Sequence, residues 1–283
     1  MSGDHILTLS CPDRTGIVYR VSELLFSHAC NILDAQQFGD PATCRFFLRI
    51  HFAAPDASKA QRVRDRFAQI AGEYAMDWKI HDAGRLPRML ILASRQGHCL
   101  NDLLFRVHDR QLRATVAGVV SNHPDFAPFA ATYGVPFHHL PVDAATREAQ
   151  ERAILDLADR ADVDLVVLAR YMQILSPALC EALAGRAINI HHSFLPSFKG
   201  ARPYHQAHER GVKIIGATAH YVTPDLDEGP IIAQDVAPVD HSMTPSDLIR
   251  IGSDIESRVL ARAVRLHLEH RILLNGHRTV VFR

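Results

Sequence analysis

Ala187-Ile188-Asn189-Ile190-His191-His192-Ser193-Phe194-Leu195-Pro196-Ser197-Phe198-Lys199-Gly200 is the stretch on which the fold turns, because an apolar run over residues 187–190 ends abruptly in an amide and an imidazole. Strand side chains two apart share a face, so Asn189 and His191 project together from the strand's carboxyl end. One is a neutral hydrogen-bond donor and the other a tunable acid, a pairing that suits a carbonyl oxygen and is equally compatible with a structural role. Residues 88–94, 114–121 and 164–169 are similar short, apolar, β-branched runs, spaced by helical patterns such as residues 144–160. Strands apolar on both faces and alternating with helices predict a mostly parallel, Rossmann-like α/β sheet covered on both sides. Ligands of such sheets lie beyond the carboxyl ends of the strands, where Asn189 and His191 fall.

Outward from that sheet, the first eighty or so residues read differently. Strand patterns over residues 5–10, 31–38, 44–52 and 75–81 alternate with helical patterns over 16–29 and 57–72. The order βαββαβ is the ferredoxin-like arrangement, an antiparallel sheet with two helices on one face. Cys11-Pro12-Asp13-Arg14-Thr15-Gly16 suits a sharp turn, with Asp13 or Thr15 available either to cap the following helix or to meet a ligand. The polar, Gly- and Pro-containing residues 82–87 separate the two regions, giving domains 1–84 and 85–283. The chain's 283 residues exceed the usual single-core size, which supports the division.

Composition narrows the function classes. At 47% hydrophobic and 22% charged the chain is ordinary globular protein, and 31 basic residues against 31 acidic ones leave no electrostatic footprint for nucleic acid. A small-molecule partner follows. Five scattered cysteines without a Cys-x-x-Cys pair indicate neither a disulfide framework nor a thiolate zinc site. No signal-peptide pattern opens the chain and no apolar run approaches membrane-spanning length, so a cytoplasmic protein without membrane contact is expected.

Residues 212–222 form a strand pattern containing His220, followed by Thr223-Pro224-Asp225-Leu226-Asp227-Glu228-Gly229-Pro230 and a last strand over 231–237. A carboxylate beside an imidazole raises the imidazole's pKa and fixes its orientation, and Asp227 is the candidate. From spacing alone, a plain hairpin turn is the favoured reading of Asp227.

Residues 188–200, Gly216-Ala217-Thr218-Ala219-His220 and Asp227-Glu228-Gly229-Pro230-Ile231-Ile232-x-Gln234 together resemble the folate-dependent formyltransferase family over about the last two hundred residues. The resemblance implies catalytic roles for Asn189, His191 and Asp227 and a place for His220 near the site. Leu168 to Ser176 is similar to the family's folate-lining segment, which implies folate binding by Met172, Gln173, Ile174 and Leu175. Ser94-Arg95-Gln96-Gly97-His98-Cys99-Leu100 departs from the family's glycine-rich phosphate loop and keeps one glycine, so the nucleotide acceptor site is expected to be missing. Residues 199–207 resemble the family members that carry an amino-terminal ACT domain, and residues 1–84 resemble such a domain. In those members water receives the formyl group of 10-formyltetrahydrofolate, releasing formate and tetrahydrofolate and balancing the one-carbon pool for purine biosynthesis. The resemblance further implies an amino-acid effector, glycine or methionine, at Asp13, Thr15 and Gly16, and a homo-oligomer. No cofactor beyond the folate substrate is implied, and no metal.

Other readings stand beside this one. A transferase using an acceptor other than water would share the motifs. His191, His192, His205, His208 and His220 could be read as a hydrolase metal cluster, although no fixed-spacing signature accompanies them. A non-catalytic folate- or amino-acid-binding regulator is a third reading. Lys199 and Arg202 are either surface charges or partners of the folate glutamate, with Arg202 taken as folate-binding. Arg95 and His98 carry the same ambiguity. Residues 245–274 read as one long helix.

Overall fold

The computed structural model describes residues 3–193 and 203–283. It comprises two compact units. One holds the residues up to Leu86 together with Glu269–Asn275 and Thr279–Arg283, and the other holds Pro87–Leu268 and Gly276–Arg278. The expected division at 84/85 assigned the whole carboxyl terminus to the second domain, whereas the segments after Leu268 belong largely to the first unit.

The first unit runs β1 (Gly3–Pro12), α1 (Ile17–Ser27), β2 (Asn31–Asp40), β3 (Arg45–Ala54), α2 (Ala57–Tyr74) and β4 (Asp77–Asp82). Its sheet has the order β2-β3-β1-β4, antiparallel throughout. Alternation on β3 sends Phe46, Leu48, Ile50 and Phe52 to the core that contains Val21 and Leu25 of α1 and Val63, Phe67 and Ile70 of α2. Phe47 points to the opposite face and packs with Leu273, Phe282 and Val280. A hairpin of β12 (Ile272–Asn275) and β13 (Arg278–Val281) provides that cover. Two corrections follow. The helix expected over residues 245–274 ends at Leu268, and the strand at 231–237 is not the last. The break comes where His270 adopts a left-handed φ of 52° and where Asn275-Gly276, with Gly276 at φ 61°, makes the turn.

Asp56 caps α2 by accepting from the Lys59 amide at 2.8 Å. The start of α1 differs from expectation, since neither Asp13 nor Thr15 caps it. Gly16 occupies the N-cap at φ 94°, a left-handed conformation that favours glycine, which has no side chain with which to cap. The turn is held instead by the Asp13 amide donating to the Cys44 carbonyl at 2.9 Å. Asp13 and Thr15 are exposed.

The second unit contains β5 (Arg88–Ala93), α3 (His98–His108), β6 (Thr115–Ser121), α4 (Ala127–Thr132), β7 (Phe137–His139), α5 (Arg147–Arg160), β8 (Leu165–Leu168), α6 (Pro177–Ala182), β9 (Ala187–His191), α7 (Pro203–Glu209), β10 (Ile214–Tyr221), β11 (Ile231–Pro238) and α8 (Pro245–Leu268). Its sheet order is β11-β10-β9-β8-β5-β6-β7. The five strands from β9 to β7 are parallel, while β10 and β11 join antiparallel. Residues Met89–Ala93 of β5 and all of β8 are buried, as strands covered on both faces must be. The chain enters at β5, builds outward through β6 and β7, then resumes on the other side of β5 with β8. The crevice beyond the carboxyl ends of β5 and β8 is therefore a topological switch point, with β9 next to it.

Candidate active site

The register of β9 against β10 assembles the site. Asn189 lies opposite His220 and His191 opposite Thr218, so side chains of one face of two adjacent strands meet at the carboxyl end of β9. His220 Nδ1 bonds the Tyr221 carbonyl at 2.8 Å, and because a carbonyl only accepts, Nδ1 carries the proton. Its Nε2 is then the acceptor for the Asn189 amide, 3.3 Å away. Buried at 2% exposure, His220 thus fixes how Asn189 presents its amide.

Asp227 reaches the same point from the β10–β11 connection. Its Oδ1 lies 3.2 Å from His191 Nδ1 and 3.7 Å from His220 Nε2, the latter too long for a hydrogen bond. Burial by itself would raise the Asp227 pKa, but the hydrogen bond and positive charge of His191, with the His220 ring beside it, hold it well below the usual carboxylate range. The carboxylate's stabilising contribution is therefore present at neutral pH and is lost only as pH falls below that range. A carboxylate held this low is a weak proton acceptor, which favours an electrostatic task on His191. Asp227 sits at φ 58°, a region that Asp and Asn tolerate better than most residues. Two residues on, a Cβ at Gly229 would fall 1.8 Å from the Tyr221 carbonyl oxygen, so only glycine lets the loop close against β10.

With Nδ1 turned to Asp227, His191 Nε2 is buried and has no hydrogen-bond partner among the described residues. It lines a cavity of about 230 Å³ that also contains Asn189, His220, Asp227 and residues Arg170 to Leu175. Met172, Gln173, Ile174 and Leu175 are thus brought to the same cavity as the polar group, and Met172 and Ile174 expose apolar side chains there. The surface is partly polar and partly apolar, as a flat heteroaromatic ligand requires. The segment is braced from behind. The Met172 amide donates to Ser94 Oγ at 3.0 Å, Arg147 donates to the Ile174 carbonyl, and buried Glu151 accepts from the Ser176 amide at 2.8 Å. Arg202 and Lys199 lie outside the described residues. His205 and His208 lie exposed on α7, and Asp13, Thr15 and Gly16 belong to the other unit.

Sequence reasoning missed a second polar cluster. Glu256, 1% exposed on α8, accepts from Tyr204 Oη at 2.7 Å, pairs with His98 Nε2 at 2.7 Å and lies 3.4 Å from Arg170 Nε. The available signal was an acid on the apolar face of α8, among buried Leu248, Gly252, Ile255 and Val259. His98, Cys99 and Glu256 are the one grouping of metal-ligand type among the described residues, but Arg170 and Tyr204 already answer the carboxylate.

The formyl transferase family model matches residues 87–264. A formyltetrahydrofolate deformylase of Corynebacterium sp. (strain P-1) is 51% identical over 99% of this chain and 98% of its own length. The crystal structure of a formyltetrahydrofolate deformylase from Burkholderia mallei superposes with a TM-score of 0.96 at 52% identity, over 99% of this chain and all of the other. A glycinamide ribonucleotide transformylase from Symbiobacterium toebii matches 72% of this chain and 97% of its own, at TM-score 0.66 and 35% identity. Fold, site and end-to-end similarity together place the chain in the formyl transferase family, among the formyltetrahydrofolate deformylases.

Proposed function

We propose that this chain hydrolyses 10-formyltetrahydrofolate to formate and tetrahydrofolate. The observation that carries the reading is the convergence of Asn189, His191 and Asp227 on one cavity that residues Met172 to Leu175 also line. In the proposed reaction, water adds to the N10-formyl carbon, and the Asn189 amide and protonated His191 stabilise the resulting oxyanion. The C–N10 bond then breaks as His191 Nε2 delivers its proton to N10. One proton of the attacking water restores the Asp227–His191 pair and the other leaves to solvent as formic acid ionises to formate, so the site ends as it began. Hydrolysis supplies formate and restores the folate pool used in purine biosynthesis. The purified chain, incubated with 10-formyltetrahydrofolate and no amine, is expected to release formate and tetrahydrofolate in equal amounts. Release of neither would sink the reading, and release only with an added amine would make the chain a transferase with another acceptor.

The first unit is proposed to be an ACT-type sensing domain that pairs between copies and takes glycine or methionine at the turn bearing Asp13, Thr15 and Gly16. Its βαββαβ topology supports this, as does the open edge strand β2, where Ile32, Leu33 and Phe38 are exposed. On α1, Tyr19 and Phe26 are also exposed, Phe26 at 84%. A monomer by light scattering, with turnover indifferent to both amino acids, would contradict this assignment.

A further inference from the structure

The side chain next to His191 is a histidine too. His192 stacks on His191 with ring centroids 4.6 Å apart and planes inclined by 23°, and both rings line the cavity. Two imidazoles so close repel when both are charged, so in practice the pair carries at most one extra proton beyond those of two neutral rings. Which ring holds it decides whether His191 can act as an acid.

The neighbourhood of His192 answers that question by geometry. Arg170 Nη1 lies 2.9 Å from His192 Nδ1. A guanidinium only donates and does not deprotonate, so Nδ1 must be an unprotonated acceptor and the single ring proton sits on Nε2. Arg170 cannot swing away. Its backbone is held at φ 61° and its carbonyl accepts from the Ser94 amide, while Nε donates to Gln96 Oε1 at 2.6 Å and lies 3.4 Å from Glu256. Glu256 is fixed in turn by Tyr204 and His98. Tyr204 has no room to move on the α8 side, since Gly252 passes so close that a Cβ there would stand 2.1 Å from its hydroxyl.

We infer that Glu256 and Arg170 are positioning residues that hold His192 neutral, so that the proton shared by the stacked pair is confined to His191. The inference rests on the proposed role of His191 but concerns residues that role does not use. Among the described residues, the charged or titratable groups facing His192 are Arg170 from the loop after β8, His191 on β9, Tyr204 on α7, Asp227 from the β10–β11 loop and Glu256 on α8. Burial, Arg170 and His191 together push the His192 pKa down to about 4, although Glu256 and Asp227 pull the other way. Asp227 touches His191, not His192, and so draws the proton to the intended ring.

The test reads the proton first and turnover second. In ¹⁵N spectra of the intact protein, His192 is expected to keep an unprotonated Nδ1 and a protonated Nε2 from about pH 5 to about pH 8. An imidazolium pattern for His192 near pH 6 would overturn the proposal whether or not the chain hydrolyses folate. Arg170→Met is expected to let His192 take the proton, lowering kcat roughly tenfold near pH 6 and less near pH 8, with KM within about threefold. Arg170→Lys should recover part of the loss. In a His192→Phe background, which keeps the stack but cannot hold a proton, Arg170→Met should cost about twofold or less. An equal penalty in both backgrounds would show that Arg170 merely supports the fold. If Arg170→Met fails to fold, the titration of the parent protein and the Arg170→Lys profile still decide.

Discussion

Replacing Asp227 by Asn lowers kcat for formate release by roughly 10²–10⁴-fold while the Kd for a non-hydrolysable folate stays within about threefold. The change is nearly isosteric, and Asn accepts the left-handed backbone at this position as readily as Asp does. Gly229 continues to seat the loop against Tyr221, so the cavity keeps its shape. What disappears is the negative charge 3.2 Å from His191 Nδ1, and with it the acceptor that orients the ring and stabilises charge developing on it during the reaction. Binding is spared because the folate-facing surface from Met172 to Leu175 is braced by Ser94, Arg147 and Glu151, which Asp227 does not touch. Stopped-flow or discontinuous assay of formate, with calorimetry for binding, separates the two quantities. Turnover near that of the parent would remove Asp227 from the mechanism.

His191→Ala removes the buried Nε2 that faces the cavity and is expected to lower kcat by about 10²–10³-fold, the usual cost of one oxyanion donor. It also leaves Asp227 without its nearer partner. The more discriminating measurement is the double variant His191→Ala with Asp227→Asn. If the two side chains act as a unit, the second substitution adds little to the first, because the carboxylate's task is to charge a ring that is no longer present. Penalties that multiply would mean that Asp227 acts independently, as a proton acceptor in its own right. The strongly depressed pKa of Asp227 argues for the unit.

The parts of this site legible in the sequence are those encoded by local pattern. Asn189 and His191 stand two apart at the end of a β-branched run, so period and position predict their shared face before any pairing is known. Strands β5, β6, β8 and β9 were equally visible, since burial on both faces leaves continuous apolar runs. The polar cluster behind His192 was not visible, because Gln96 and His98, Arg170, Tyr204 and Glu256 come from four separate segments and meet only through the tertiary fold. The end of α8 was hidden for a different reason. Ile272, Leu273 and Leu274 prolong the apolar pattern of the helix, although they belong to a strand turned by Asn275-Gly276. That hairpin exists because Phe47 points away from the helices and needs cover, a demand set by alternation on a strand more than two hundred residues earlier.

The acceptor is the central claim, and isotope transfer from solvent tests it most directly. With 10-formyltetrahydrofolate as sole substrate in ¹⁸O-water, and formate analysed by mass spectrometry at early turnover, one of its two oxygens is predicted to come from solvent. Tetrahydrofolate should appear at the same rate, and added amines should remain unformylated. Formylated amine in place of labelled formate, or tetrahydrofolate released without it, would contradict hydrolysis at the Asn189–His191–Asp227 site.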